Sequence, residues 1–160
     1  QLLTASGDNL YGSFPDSGIW KFDGTNWTQA TPSNPQLLAA SGDNLYGSFP
    51  ESGIWKFDGT AWTQATPSNP QLLTASGDNL YGSFPDSGIW KFDGTVWIQT
   101  TSSNPALMSA TSTALYSVFS GSGIWKWDGS FWSQITTNDP ESMVAAEVQI
   151  TASQQCFPCP

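Results

Sequence analysis

Apolar and polar residues alternate along this chain in short runs, and the runs return every 35 residues. In the first unit, residues 2–6, 10–14, 19–23 and 27–31 carry the two-residue period of a strand. Each run ends in turn chemistry: Gly7-Asp8-Asn9, Pro15-Asp16-Ser17-Gly18, Asp23-Gly24-Thr25 and Pro32-Ser33-Asn34-Pro35. The connections are a few residues long, so the strands are expected to pair antiparallel as a meander, with a hairpin at Asp23-Gly24. No segment has helical periodicity of useful length.

The alternation also assigns faces. Trp20 and Phe22 share one side of their strand, with Ile19 and Lys21 on the other; Leu10, Gly12 and Phe14 oppose Tyr11 and Ser13. Bulky side chains therefore lie on both faces of a four-stranded sheet. A sandwich leaves one face of each sheet in water, whereas a propeller blade packs both faces on its neighbours. The small residues Thr4, Ala5 and Ser6 suit the crowded strand nearest a propeller axis.

Residues 1–35 recur as 36–70 and 71–105, and more loosely as 106–140. The first two copies differ only at Thr4/Ala39, Asp16/Glu51 and Asn26/Ala61. Residues 141–153 begin a fifth copy, with Met143, Ala145 and Ile150 in register with Leu3, Ala5 and Leu10; residues 154–160 form a separate tail. The expected fold is all-β, a β-propeller of four-stranded antiparallel blades with about 35 residues per repeat, four full repeats and a partial fifth in a single domain, residues 1–153. A β-solenoid is the rival, but its coils usually need fewer residues and fewer tight hairpins.

The runs Gly7-Asp8-Asn9-Leu10-Tyr11-Gly12 and Gly18-Ile19-Trp20-Lys21-Phe22-Asp23-Gly24, followed by Trp27, resemble the tectonin repeat. The pattern returns as Leu45-Tyr46-Gly47 with Ile54-Trp55-Lys56-Phe57-Asp58-Gly59 and Trp62, and as Leu80-Tyr81-Gly82 with Ile89-Trp90-Lys91-Phe92-Asp93-Gly94 and Trp97. The fourth copy keeps Leu115-Tyr116, Ile124-Trp125-Lys126-Trp127-Asp128-Gly129 and Trp132. Tectonin-like proteins are β-propellers, and several are lectins for microbial surface glycans, so the resemblance implies carbohydrate recognition. Its usual pattern has more blades than this chain and lacks the Ser-Asn-Pro linkers and Pro-Asp-Ser turns.

Composition narrows the function further. Four lysines, no arginine or histidine and thirteen acids give a net charge of -9, which argues against nucleic acid and against anionic membrane surfaces. No apolar run approaches the roughly 20 residues that span a bilayer. A polar surface with little charge points to an extracellular or cell-surface protein. Gln1 opens directly inside the repeat, as expected of a mature secreted form or a piece of a longer chain.

Catalysis finds no support in the sequence: there is no histidine for general-base work, no Gly-x-Ser-x-Gly elbow and no phosphate loop. Asp8, Asp16 and Asp23 fall in turns, where Asp is favoured for local hydrogen bonds, rather than as paired glycosidase carboxylates. Calcium fits no better. The fourth copy has Thr113 and Gly121 in place of the first two acids, and the recurring Asp23, Asp58, Asp93 and Asp128 each precede a turn glycine. No metal and no cofactor is expected.

Candidate ligand contacts are aromatic, because sugars stack on flat rings. They are Trp20, Trp55, Trp90 and Trp125; Trp27, Trp62, Trp97 and Trp132; and Tyr11, Tyr46, Tyr81 and Tyr116. Core packing between blades is the competing role for each, with the Trp27 set, beside the hairpin tip, the more exposed. Lys21, Lys56, Lys91 and Lys126 sit between aromatics and are expected to snorkel or to pair with a repeat Asp. Cys156 and Cys159 lack the two further ligands that zinc needs, which leaves a local disulfide or a bridge to another chain. Asn26-Trp27-Thr28 fits a glycosylation sequon in the first copy alone.

Two functions follow. The chain is expected to be a non-enzymatic extracellular recognition module, binding glycans or other cell-surface polymers multivalently. The alternative is a structural or adhesive protein whose open fifth copy exposes strand edges and joins chains into oligomers or filaments.

Overall fold

The computed structural model describes residues 1–146. The candidate disulfide Cys156–Cys159 and residues 147–153 of the fifth copy lie outside the described residues. Among the described residues, sixteen strands form four separate four-stranded sheets, each a meander in chain order. Blade 1 is β1 (Leu3–Ser6), β2 (Asn9–Phe14), β3 (Gly18–Phe22) and β4 (Trp27–Thr31); blade 2 is β5 (Leu37–Ser41), β6 (Asn44–Phe49), β7 (Gly53–Phe57) and β8 (Trp62–Thr66). Blade 3 is β9 (Leu72–Ser76), β10 (Asn79–Phe84), β11 (Gly88–Phe92) and β12 (Trp97–Thr101). Blade 4 is β13 (Leu107–Ala110), β14 (Leu115–Phe119), β15 (Gly123–Trp127) and β16 (Trp132–Thr136). These are the expected β-propeller blades, with strand ends within one residue of the sequence pattern.

Turn chemistry sets the register. Ser6 pairs with Asn9, so β1 and β2 are joined by Gly7-Asp8 alone, with Gly7 at φ 57°. Between β3 and β4 the Asp23 carboxylate accepts the backbone N–H groups of Thr25 and Asn26, at 2.9 and 2.8 Å. The carboxylates of Asp58, Asp93 and Asp128 repeat both bonds. Gly18 is needed on two counts: its φ is 72°, and a Cβ there would lie 2.1 Å from the Thr31 carbonyl oxygen.

One feature of the ladder has no sequence signature. Ile19 pairs with Thr31 but Trp20 pairs with Gln29, so Ala30 is bulged out of the register of β4. The same shift recurs in every blade.

The inner strands run side by side, β1 against β5, β5 against β9 and β9 against β13; among the described residues, β13 and β1 make no comparable contact. The core is consequently three seams between consecutive blades rather than one central cluster. In the first seam Tyr11 and Ile19 of blade 1 meet Leu45 and Phe57 of blade 2, flanked by Ala30, Leu38 and Trp62. Tyr46 and Ile54 meet Leu80 and Phe92 in the second, and Tyr81 and Ile89 meet Leu115 in the third. Each blade thus presents a Tyr/Ile face forward and a Leu/Phe/Trp face backward, and both are apolar as the alternation requires. Of the fifth copy, Ala145 donates its backbone N–H to the Ser109 hydroxyl on β13 at 2.7 Å, beside the inner strand of blade 4.

Candidate ligand grooves between blades

Each seam opens at one rim into a shallow groove built from two blades. The leading blade supplies the end of its outer strand and the linker behind it; the following blade supplies its second turn and its tryptophans. In the first seam these are Thr31, Ser33 and Asn34 from blade 1, and Phe49, Pro50, Ser52, Trp55 and Trp62 from blade 2. Thr66, Ser68 and Asn69 repeat the leading side in the second seam, and Thr101, Ser103 and Asn104 in the third. The three grooves measure about 570, 380 and 530 Å3, within the range of small-molecule sites.

The tryptophans are held rigidly and give up their polar atoms to do it. Trp55 Nε1–H donates to the carbonyl and hydroxyl oxygens of Ser52, both at 3.0 Å, and Gln64 Nε2 donates to the same carbonyl at 2.9 Å. Trp62 Nε1–H crosses the seam to the carbonyl of the bulged Ala30 at 3.0 Å. Its ring stacks on Phe57 at 5.0 Å between centroids and meets Phe49 edge-on at 5.6 Å. Phe49 in turn folds over Gly47, where a Cβ would come within 2.9 Å of its ring. Each groove therefore offers indole surfaces whose N–H groups are already used, edged by Thr and Ser hydroxyls and an Asn amide. Such a surface stacks on a flat apolar face and exchanges hydrogen bonds with the polar edge of the same ligand.

The candidate residues separate into three groups. Trp55, Trp62, Trp90, Trp97, Trp125 and Trp132 are half-buried and line the three complete grooves. Trp20 and Trp27, with Phe14 and Ser17, line only half a groove on blade 1, whose backward face is not covered by another blade among the described residues. Of the Trp27 set, only Trp27 itself is exposed, at 44%; the others are half-buried against the preceding blade. Tyr11, Tyr46 and Tyr81 correct the sequence expectation: they are buried in the seams, so core packing claims them, and that burial pushes their hydroxyls above the usual tyrosine range. Tyr116 is half-buried on the forward face of blade 4.

Sequence reasoning missed the polar side of the groove. Thr31, Ser33 and Asn34 look like linker residues, and only the packing of consecutive blades brings them to the next tryptophans. The repeated Asp carboxylates lie at the opposite rim, where the backbone N–H groups they accept hold their pKa below the ordinary value of 3.8. Among the described residues no three His, Cys, Asp or Glu side chains gather as a metal site would require.

No family profile matches the chain, and no curated protein matches it. Solved structures match in fold. The CRINKLY WD40 ectodomain of the Arabidopsis thaliana receptor kinase ACR4 aligns with 79% of this chain and 48% of its own length, at a TM-score of 0.59 and 12% identity. YCF48, solved bound to D1 peptide, aligns with 82% of this chain and 53% of its own, at a TM-score of 0.54 and 16% identity. A Myxococcus xanthus glutaminyl cyclase reaches a TM-score of 0.49 over 79% of this chain and 64% of its own, at 13% identity, a likeness that carries no argument about activity. This chain spans about half the length of the first two. Such likeness places it among β-propellers of repeated four-stranded blades.

Proposed function

We propose that this chain is a non-enzymatic, extracellular recognition module that binds glycans in the grooves between blades. The observation that carries the reading is the groove itself, built three times over from two tryptophans with committed N–H groups and a rim of Thr, Ser and Asn. A pyranose has the matching form, with an apolar face of C–H groups for the indole and hydroxyls around its edge. The similarity to the tectonin repeat supports the same ligand class. Grooves of one composition repeated along one molecule raise affinity for a polymer far above that for its monomer.

A glycan array followed by titration of the best binder tests this. A polymeric glycan is expected to bind at least about 100-fold more tightly than its monosaccharide. Replacing Trp55, Trp90 and Trp125 with Ala together should abolish binding while leaving the circular dichroism of the β-sheets intact. An array with no binder, or binding unchanged in the triple variant, would overturn the reading. Self-assembly is the second reading, favoured by the apolar residues exposed at both ends of the blade array.

A further inference from the structure

The two ends of the array are the two halves of a seam. Blade 1 exposes the backward face that blades 2, 3 and 4 bury: Leu3 is 71% exposed and Trp27 44%, and Leu10 and Phe22 are half-buried where Leu45 and Phe57 are enclosed. Blade 4 exposes the forward face: Tyr116 and Ile124 are half-buried where Tyr46 and Ile54 are enclosed, and Ile135 is 56% exposed. Three internal seams show what each face fits, since the forward faces of blades 1, 2 and 3 are each covered by a backward face of the same sequence pattern.

The polar atoms are complementary as well. Trp62, Trp97 and Trp132 each donate to a carbonyl 32 residues earlier, at Ala30, Ala65 and Thr100. For Trp27 the matching acceptor is the next in that series, the carbonyl of Ile135, at the far end of the array. The half-groove of Phe14, Ser17, Trp20 and Trp27 lacks a linker side, and Thr136, Asn138 and Asp139 of blade 4 form a linker side with no tryptophans to face.

We propose that blade 1 of a second copy of this chain covers blade 4 head to tail, with Trp27 of that copy donating to the Ile135 carbonyl. The joint completes a fourth groove that neither copy holds alone. The occupant is a second copy because blade 1 carries all the seam residues in register. Two copies suffice to close a ring, since one spans about half of the propellers it superposes on. The segment that begins the fifth copy stands in the way: Ala145, bonded to Ser109, occupies the place of an incoming inner strand. In sequence, Met143, Ala145 and Ile150 of that segment stand in register with Leu3, Ala5 and Leu10. An incoming blade 1 brings Leu3, Leu10, Phe22 and Trp27 onto the forward face of blade 4 together and has to displace that segment to dock. This inference does not depend on what the grooves bind, because particle mass is read without ligand.

Light scattering across a concentration series on the full chain is the test. A mass of twice 17.2 kDa is expected at high concentration. Ile135→Glu, at an exposed position, and Trp27→Ala should each return the monomer mass, and mixing the two variants should restore dimers, because the mixed pair keeps one intact seam. A chain ending at residue 140, whose four blades all lie within residues 3–136, should dimerise at least 10-fold more tightly than the full chain. A monomer in both the full and shortened chains would overturn the proposal, and so would an assembly that Ile135→Glu leaves intact. A shortened chain that dimerises no more tightly would remove residues 141–160 as the competitor.

Discussion

Leu45 and Leu10 occupy the same place in blades 2 and 1, in copies that differ at three positions, yet Leu45 is fully enclosed and Leu10 is half-buried. Ile54 and Ile124 show the same contrast on the forward face. Nothing in the residues themselves accounts for it; the difference is whether a neighbouring blade is present. What the repeat encodes is therefore a seam, half written at the front of each copy and half at the back. A blade on its own is a sheet with two apolar faces, and it becomes a folded unit only against a neighbour.

The largest effect expected to sharpen this contrast comes from truncating the two isoleucines. Ile54→Ala opens a cavity in a closed seam and is expected to cost about 2–5 kcal/mol in urea unfolding. Ile124→Ala at low protein concentration should cost less than half as much, because water already reaches the site. Equal costs at both positions would show the ends to be covered in the isolated chain. A smaller effect separates the tryptophans. Trp62→Phe keeps most of the stacking on Phe57 but loses the bond to Ala30, for about 1 kcal/mol, whereas Trp27→Phe in the monomer should be close to neutral.

The smallest effect should ignore the comparison altogether. Asp23, Asp58, Asp93 and Asp128 make the same turn in end and middle blades, and in each the accepted backbone N–H groups lower the carboxyl below 3.8. A depressed folded value stabilises the native state above 3.8, and that contribution is lost as pH falls through the lower folded value. Melting temperature should drop modestly with acid below that point, and Asn at all four positions should flatten the slope. A drop traceable to one blade alone would contradict the equivalence of the turns.

Most of the fold was legible because it is local: strand period, tight turns and bulky residues on both faces are all written within one copy. The tryptophan pairs of the grooves were legible for the same reason, as recurring large aromatics. The bulge at Ala30 was not, since alanine there fits an ordinary strand and only the Ile19–Thr31 and Trp20–Gln29 pairings reveal it. Nor were the groove roles of Thr31, Ser33 and Asn34, whose partners lie in the next copy. The burial of Tyr11, Tyr46 and Tyr81 could be decided only by knowing which face a neighbour covers.

The bond from each of Trp62, Trp97 and Trp132 to the bulged residue of the copy before it gives the array a polarity. Every link is asymmetric, an indole reaching back and a carbonyl offered forward, so copies add in one sense only, like hooks and eyes. A gene segment of 35 codons duplicated in tandem carries both halves of the clasp and needs no new surface to be accepted. Such a molecule lengthens by copying rather than by invention, and the near-identity of the first three copies is the trace that process would leave.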